Sequence, residues 1–135
     1  MPRRQAIQPP AMYRPERDGR KLYSQVLAVE GRRLIFLAGQ IARDADGNLV
    51  GAGDMRAQIR QTCENIKAAL AAAGATLADV VKTTTYVTDI DEFRKHLDVR
   101  TGYFQDGLPT STTVEVSRLV YPGYMVEIEV MAVTD

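Results

Sequence analysis

Leu108-Pro-Thr-Ser-Thr-Thr-Val-Glu-Val-Ser-Arg-Leu119, followed by Val126-Glu-Ile-Glu-Val-Met-Ala-Val133, is the stretch whose reading decides the fold. Both pieces are rich in β-branched residues and read as two closing strands. Gly107-Leu-Pro109 breaks the chain before the first, and Tyr121-Pro-Gly123 joins the two. Residues two apart in a strand share a face, so Glu127 and Glu129 point together. Thr110, Ser111, Thr112 and Thr113 offer four consecutive hydroxyls, and Glu115 adds a third acid in what reads as the adjacent strand. The two strands thus bring hydroxyls and carboxylates together.

Upstream, the clearest element is a helix. Asp54 suits an N-cap, Met55, Ile59, Cys63, Ile66 and Leu70 recur at helical spacing, and Gly74 supplies the stop. Its other face carries Arg56, Arg60, Gln61, Glu64 and Lys67. Cys63 lies on the packing stripe and reads as a small core residue rather than a nucleophile. Residues 80–87 include Thr83, Thr84 and Thr85 and read as a strand. Asp89 caps a second helix with Glu92 three residues on, as in a capping box, and Phe93, Leu97, Arg100 and Phe104 mark its buried side. His96, the one histidine, has no partner nearby in sequence that suggests a ligand set or a catalytic pair.

Residues 23–30 and 33–38 read as a hairpin turning at Gly31-Arg32. Asp46-Gly47-Asn48 is a turn, and Gly51 and Gly53 punctuate the approach to the first helix. Residues 1–21 differ: Pro2, Pro9, Pro10 and Pro15 oppose a long regular element, and the segment is basic. It reads as a solvated or loosely docked arm, with a flap over a neighbouring subunit as the alternative. The expected division is an arm at 1–21 and one domain at 22–135. The architecture is α+β, a single sheet with two helices over one face. The other face needs cover that so short a chain does not supply, and oligomerisation provides it.

Composition narrows the function. The 135 residues suit one domain, and 45% hydrophobic with 25% charged residues is ordinary for a soluble globular protein. Seventeen basic and seventeen acidic residues cancel, leaving no global field for nucleic acid or an anionic membrane. One cysteine leaves no internal disulfide and no Cys/His metal cluster, consistent with a reducing cytoplasm. There is no Gly-x-Ser-x-Gly elbow, phosphate loop or metal-binding histidine pair. The candidates for chemistry are polar residues on strands. Glu115, Glu127 and Glu129 are either solvated, paired with Arg118 or Lys82, or hold a water at a subunit interface.

The order of features after the arm resembles the Rid (RidA/YjgF) family of small trimeric enamine/imine deaminases. The resemblance is carried by Tyr23-Ser-Gln25, Ala38-Gly-Gln40, Asn65-Ile-Lys67 with Ala73-Gly74, and Asp79-Val-Val-Lys-Thr-Thr84. Asp89-x-x-x-Phe93, Tyr103-Phe104, Thr113-Val-Glu-Val116, Arg118-Leu119 and Val126-Glu-Ile-Glu129 complete it. It implies a mixed sheet with two helices, assembled as a homotrimer with clefts between subunits. It also implies hydrolysis of small imines and enamines, such as 2-iminobutanoate and 2-aminoacrylate, to 2-keto acids and ammonia, with no cofactor or metal.

Carried over by position, Tyr23 matches the tyrosine that walls the pocket, and Gly39 matches the backbone position beside the ligand. Thr113 stands where the family often has Cys or Thr, and Glu127 matches the acid thought to position water. Two positions depart. Ser111 stands where active members hold the substrate carboxylate with an arginine, and Leu97 stands where members commonly have an asparagine. A neutral hydroxyl cannot reproduce a bidentate charged clamp. The expectation is therefore weak deamination of free imino acids and a ligand that is neutral or larger. The other readings are a trimeric small-molecule binder without turnover and, with the basic arm as its only sequence support, an endoribonuclease or translation inhibitor.

Overall fold

The computed structural model describes residues 3–135. In chain order the strands before the first helix are β1 (Arg3–Ile7), β2 (Glu16–Arg17), β3 (Arg20–Lys21), β4 (Val26–Glu30), β5 (Arg33–Phe36) and β6 (Gln40–Ile41). Helix α1 (Met55–Ala72) follows, then a 3-10 turn at Leu77–Asp79 and β7 (Val80–Val87). Helices α2 (Ile90–Lys95) and α3 (Leu97–Tyr103) precede β8 (Thr110–Glu115) and β9 (Val126–Thr134). The fold is α+β, as the sequence pattern implies.

The main sheet has the order β5-β9-β7-β8, with β6 also paired to β9. Strand β9 runs antiparallel to β5, β6 and β7, whereas β7 and β8 are parallel, which makes the sheet mixed. A parallel pair needs a crossover, and α2 and α3 provide it. The two closing strands are therefore not neighbours: β7 lies between them, contrary to the reading of Glu115 as an acid in the strand beside Glu127.

Strand β9 alternates. Val126, Ile128, Val130 and Ala132 are buried against Ile59, Cys63, Ile66, Leu70, Phe93 and Phe104 in one core. Glu127, Glu129 and Met131 point to the opposite side. That side carries no helix, and Leu34 and Phe36 of β5 stand 64% and 68% exposed there.

Helix α1 forms where its periodicity places it. The Asp54 carboxylate accepts from Ala57 N at 3.0 Å, and Met55, Ile59, Cys63, Ile66 and Leu70 are buried. Gly74 adopts a φ of +76° just past the end. Gln58 and Thr62 are buried too. Gln58 Nε2 donates to Gly51 O and Gly123 O at 3.1 and 3.0 Å, and its Oε1 accepts from Met125 N at 2.8 Å. One buried amide thus ties α1 to two loops.

The second helical region starts at Asp89, whose carboxylate accepts from Glu92 N at 3.0 Å. It divides at His96, where the bonds His96 N to Phe93 O and Val99 N to His96 O span three residues. His96 Nε2 lies 3.2 Å from Glu92 Oε1 and takes no part in a metal cluster. Among the described residues no group of three or more His, Cys, Asp or Glu is arranged to hold a metal ion. No helix among them is long and apolar enough to cross a membrane.

The expected hairpin does not form. Strand β4 pairs antiparallel with β1 from Arg3↔Glu30 to Ile7↔Val26, while β5 pairs with β9. Within the segment read as a solvated or loosely docked arm, residues 3–7 are thus a largely exposed strand docked on β4. Arg4 fixes them: its guanidinium donates to Ala78 O, Val80 O and Gly107 O at 2.7, 3.0 and 2.7 Å. Carbonyls from the 3-10 turn, the start of β7 and the loop before β8 converge on one side chain, and partial burial lowers its pKa against the opposing pull of Asp79.

Candidate functional site

The register decides which candidate residues can meet. In the parallel pair, Thr83 faces Ser111 and Thr85 faces Thr113. Thr83 and Thr85 are fully buried on the helix side, so Ser111 and Thr113 project to that side as well. Thr110 and Thr112 alternate with them, and the four hydroxyls do not form one cluster. Thr110 Oγ1 donates to Val81 O at 3.2 Å.

The chain around Tyr23 runs beside the start of β8. Ser24 N donates to Pro109 O at 3.2 Å and Ser24 Oγ to Leu108 O at 2.6 Å. Tyr23 is half-buried and lines a cavity of about 60 Å³ with Ser24 and Leu108. Leu97 on α3 lines a neighbouring cleft of about 240 Å³ together with Leu22 and Thr101. Arg17, Arg20, Arg94 and Lys95 stand around it, with Asp18 and Asp98. Asp98 is held by Arg56 through two bonds of 3.0 and 2.8 Å, which keep its carboxyl below the usual range.

Gly39 and Glu127 form a second group. Ile41 is the β6 partner of Glu127, and the chain at Gly39 passes directly over the carboxylate. A Cβ on Gly39 would overlap that carboxylate and lie 2.8 Å from its Cδ. Beside it, Tyr86 OH donates to Glu129 Oε1 at 2.9 Å, and this bond raises the phenol's pKa. Neither Arg118 nor Lys82 pairs with Glu115, Glu127 or Glu129 among the described residues. Glu115 instead accepts from Ile90 N at 3.1 Å, at the start of α2.

Within one chain the candidates therefore split. Ser111, Thr113 and Leu97 belong to the helix side, with Tyr23 at its margin, and Glu127, covered by Gly39, belongs to the open face. The sheet itself stands between Thr113 and Glu127.

One residue near the first group has a role that the sequence pattern did not reveal. Arg100 on α3 is only 3% exposed. Its Nη2 donates to Thr83 Oγ1 at 2.7 Å and its Nη1 to Leu22 O at 3.2 Å, while its guanidinium lies 4.9 Å from the centre of the Phe104 ring. Burial lowers its pKa to about 10, so it stays charged at neutral pH. The same burial pushes the Cys63 thiol up to about 12, with Arg100 pulling weakly the other way. The signal was present in the sequence as an arginine among Phe93, Leu97 and Phe104 on an apolar helix face. A buried charge there demands a compensating partner.

A family model described as Endoribonuclease L-PSP matches residues 15–134. The chain belongs to this family, the YjgF/Rid proteins. Among its Rid relatives, a RutC family protein of Pyrococcus horikoshii is 43% identical over 110 residues, covering 82% of this chain and 85% of that one. The 2-iminobutanoate/2-iminopropanoate deaminase of Rattus norvegicus is 34% identical over 111 residues, covering 82% and 79%. The crystal structure of a Rid protein of unknown function from Yersinia pestis superimposes with a TM-score of 0.84 at 33% identity, over 96% of this chain and 98% of that one. The Rid resemblance and the mixed α+β fold thus hold.

Proposed function

We propose that this Rid protein hydrolyses a small imine or enamine in clefts between the subunits of a homotrimer. One observation carries the reading: Ser111 and Thr113 lie on the side of the sheet opposite Glu127. A ligand touching both groups needs two chains. The open face, with Leu34 and Phe36 exposed, supplies an apolar surface for that association. Named deaminase activity in relatives supports the reaction class.

In this reading Glu127 of one subunit holds a water and accepts its proton as the water oxygen bonds to the imine carbon. The proton passes to the imine nitrogen to give a carbinolamine. Its hydroxyl proton then moves by way of the same carboxylate to the nitrogen as the carbon–nitrogen bond breaks, and the products are a carbonyl compound and ammonia. Tyr23 and Leu97 wall the ligand, the chain at Gly39 lies beside it, and Thr113 and Ser111 offer hydroxyls. No cofactor or metal takes part. Ser111 supplies no charge for a substrate carboxylate at its position. Loss of the clamp at this position, taken alone, slows turnover of free imino acids by about tenfold or more for one charged hydrogen bond.

The deciding experiment is ammonia and keto-acid release from freshly generated 2-iminobutanoate, with light scattering to give the assembly mass. Acceleration above the uncatalysed rate by a trimer, reduced at least about tenfold in Glu127→Gln, is the expected result. A monomer overturns the shared cleft. A trimer that binds an imine analogue without turnover leaves a small-molecule binder, the second reading that the neutral Ser111 favours.

A further inference from the structure

We infer that Arg100 is an anion-binding residue, and that its guanidinium receives the carboxylate of a small 2-oxo or 2-imino acid entering the cleft between residues 16–22 and α3. The starting point is an imbalance. The guanidinium carries five N–H donors, and its protein acceptors are the Leu22 carbonyl and the Thr83 hydroxyl. Its Nε is buried and makes no hydrogen bond. Among the described residues no carboxylate forms an ion pair with it. A buried cation facing neutral acceptors is poorly compensated, and a carboxylate is the acceptor that matches its planar fork.

The surroundings point the same way. Leu22, whose carbonyl Arg100 holds, lines the 240 Å³ cleft, as do Leu97 and Thr101, three residues before Arg100 and one after. Arg17, Arg20, Arg94 and Lys95 stand at this cleft. Of its two acids, Asp98 is already neutralised by Arg56. An anion is therefore drawn towards the helix turn that carries Arg100. The bond to Leu22 O, at 3.2 Å, is the longer of the two, and it is the one a ligand carboxylate replaces as the chain at residue 22 shifts.

The position also answers for Ser111. Thr83, which anchors the guanidinium, is the register partner of Ser111. The charge absent from β8 is thus delivered from α3, by a guanidinium bound to the β7 residue that pairs with Ser111. The choice of a 2-oxo or 2-imino acid rests on the proposed function; the requirement for an anion does not.

The test uses the full chain and two probes, 2-oxobutanoate and its neutral amide, followed by calorimetry and by the arginine Nε–H resonances. The acid should bind at least about tenfold more tightly than the amide. It should shift the Arg100 Nε–H resonance saturably, and Arg100→Met should remove the preference while Arg118→Met keeps it. Equal affinities, no binding of the acid, or an unmoved Arg100 resonance at saturation overturns the inference. If Arg100→Met does not fold, the resonance and the acid–amide ratio of the unaltered protein still decide. Acid-selective binding through Arg100 without imine turnover removes the proposed reaction and keeps this site. Turnover with no acid preference does the reverse.

Discussion

The Glu127 carboxylate fills the space that any side chain at residue 39 would need, so Gly39 is set by packing rather than by backbone conformation. Its φ is not in the left-handed region, and alanine brings no backbone strain. What must give is the far end of a flexible side chain. Gly39→Ala should therefore leave thermal stability within a few degrees of the parent, because surface rearrangements of this kind cost about 0.5 kcal/mol or less. It should still lower imine hydrolysis at least about tenfold by turning the Glu127 carboxylate away. Full activity in Gly39→Ala, measured beside its melting curve, would remove Glu127 from the reaction.

Gln58 gives a stability prediction. Replacing it with Leu leaves Gly123 O and Met125 N without their side-chain partner in a partly buried setting. A buried polar group left unpaired costs about 1–3 kcal/mol, and a partly buried one falls towards the lower end. Gln58→Leu should destabilise the fold by about 1–2 kcal/mol in chemical unfolding, whereas Lys67→Leu on the exposed face should change little. A neutral Gln58→Leu would mean that the two loops find other partners.

Cys63 yields a pH prediction. Its thiol is raised by burial from 9.0 to about 12, so the folded state holds the proton more tightly than the unfolded chain. The stabilisation is complete below the unfolded value and is lost as pH rises towards about 12. Arg100 acts in the opposite sense, since burial holds its folded value, about 10, below the ordinary arginine value. The fall due to Cys63 should therefore begin first, and Cys63→Ala should flatten it near pH 9–10. At pH 8 a thiol reagent should label Cys63 only on unfolding. Rapid labelling of the native protein would contradict its place on the packed stripe.

Local patterns carried much of this fold. Helix α1 was legible because Met55, Ile59, Cys63, Ile66 and Leu70 repeat at one period and Asp54 and Gly74 bound it. Strand β7 was legible from its β-branched run. Partners distant in sequence were not. Residues 26–30 and 33–36 look like a hairpin, yet the partner of β4 comes from the basic arm, and that pairing rests on Arg4 meeting carbonyls more than seventy residues away. Likewise, nothing local says that β7 slots between β8 and β9, and this insertion separates Glu115 from Glu127. The site residues were readable as types, but their division between two sheet faces exists only in the register.

The last prediction sets Arg100 against Ser111. If one guanidinium on the helix side holds the ligand carboxylate, its origin in α3 or β8 is exchangeable. Ser111→Arg alone places a second cation across one strand from Thr83, to which Arg100 is bound, and repulsion between them limits the gain. Arg100→Met alone loses acid binding. The double variant should recover it, giving a coupling of at least about 1.4 kcal/mol between the two positions, a tenfold effect in affinity. The measurement is a double-mutant cycle on 2-oxobutanoate binding, with the amide as control. Strict additivity would show that Arg100 and residue 111 serve different spaces, and the relocated clamp would fall.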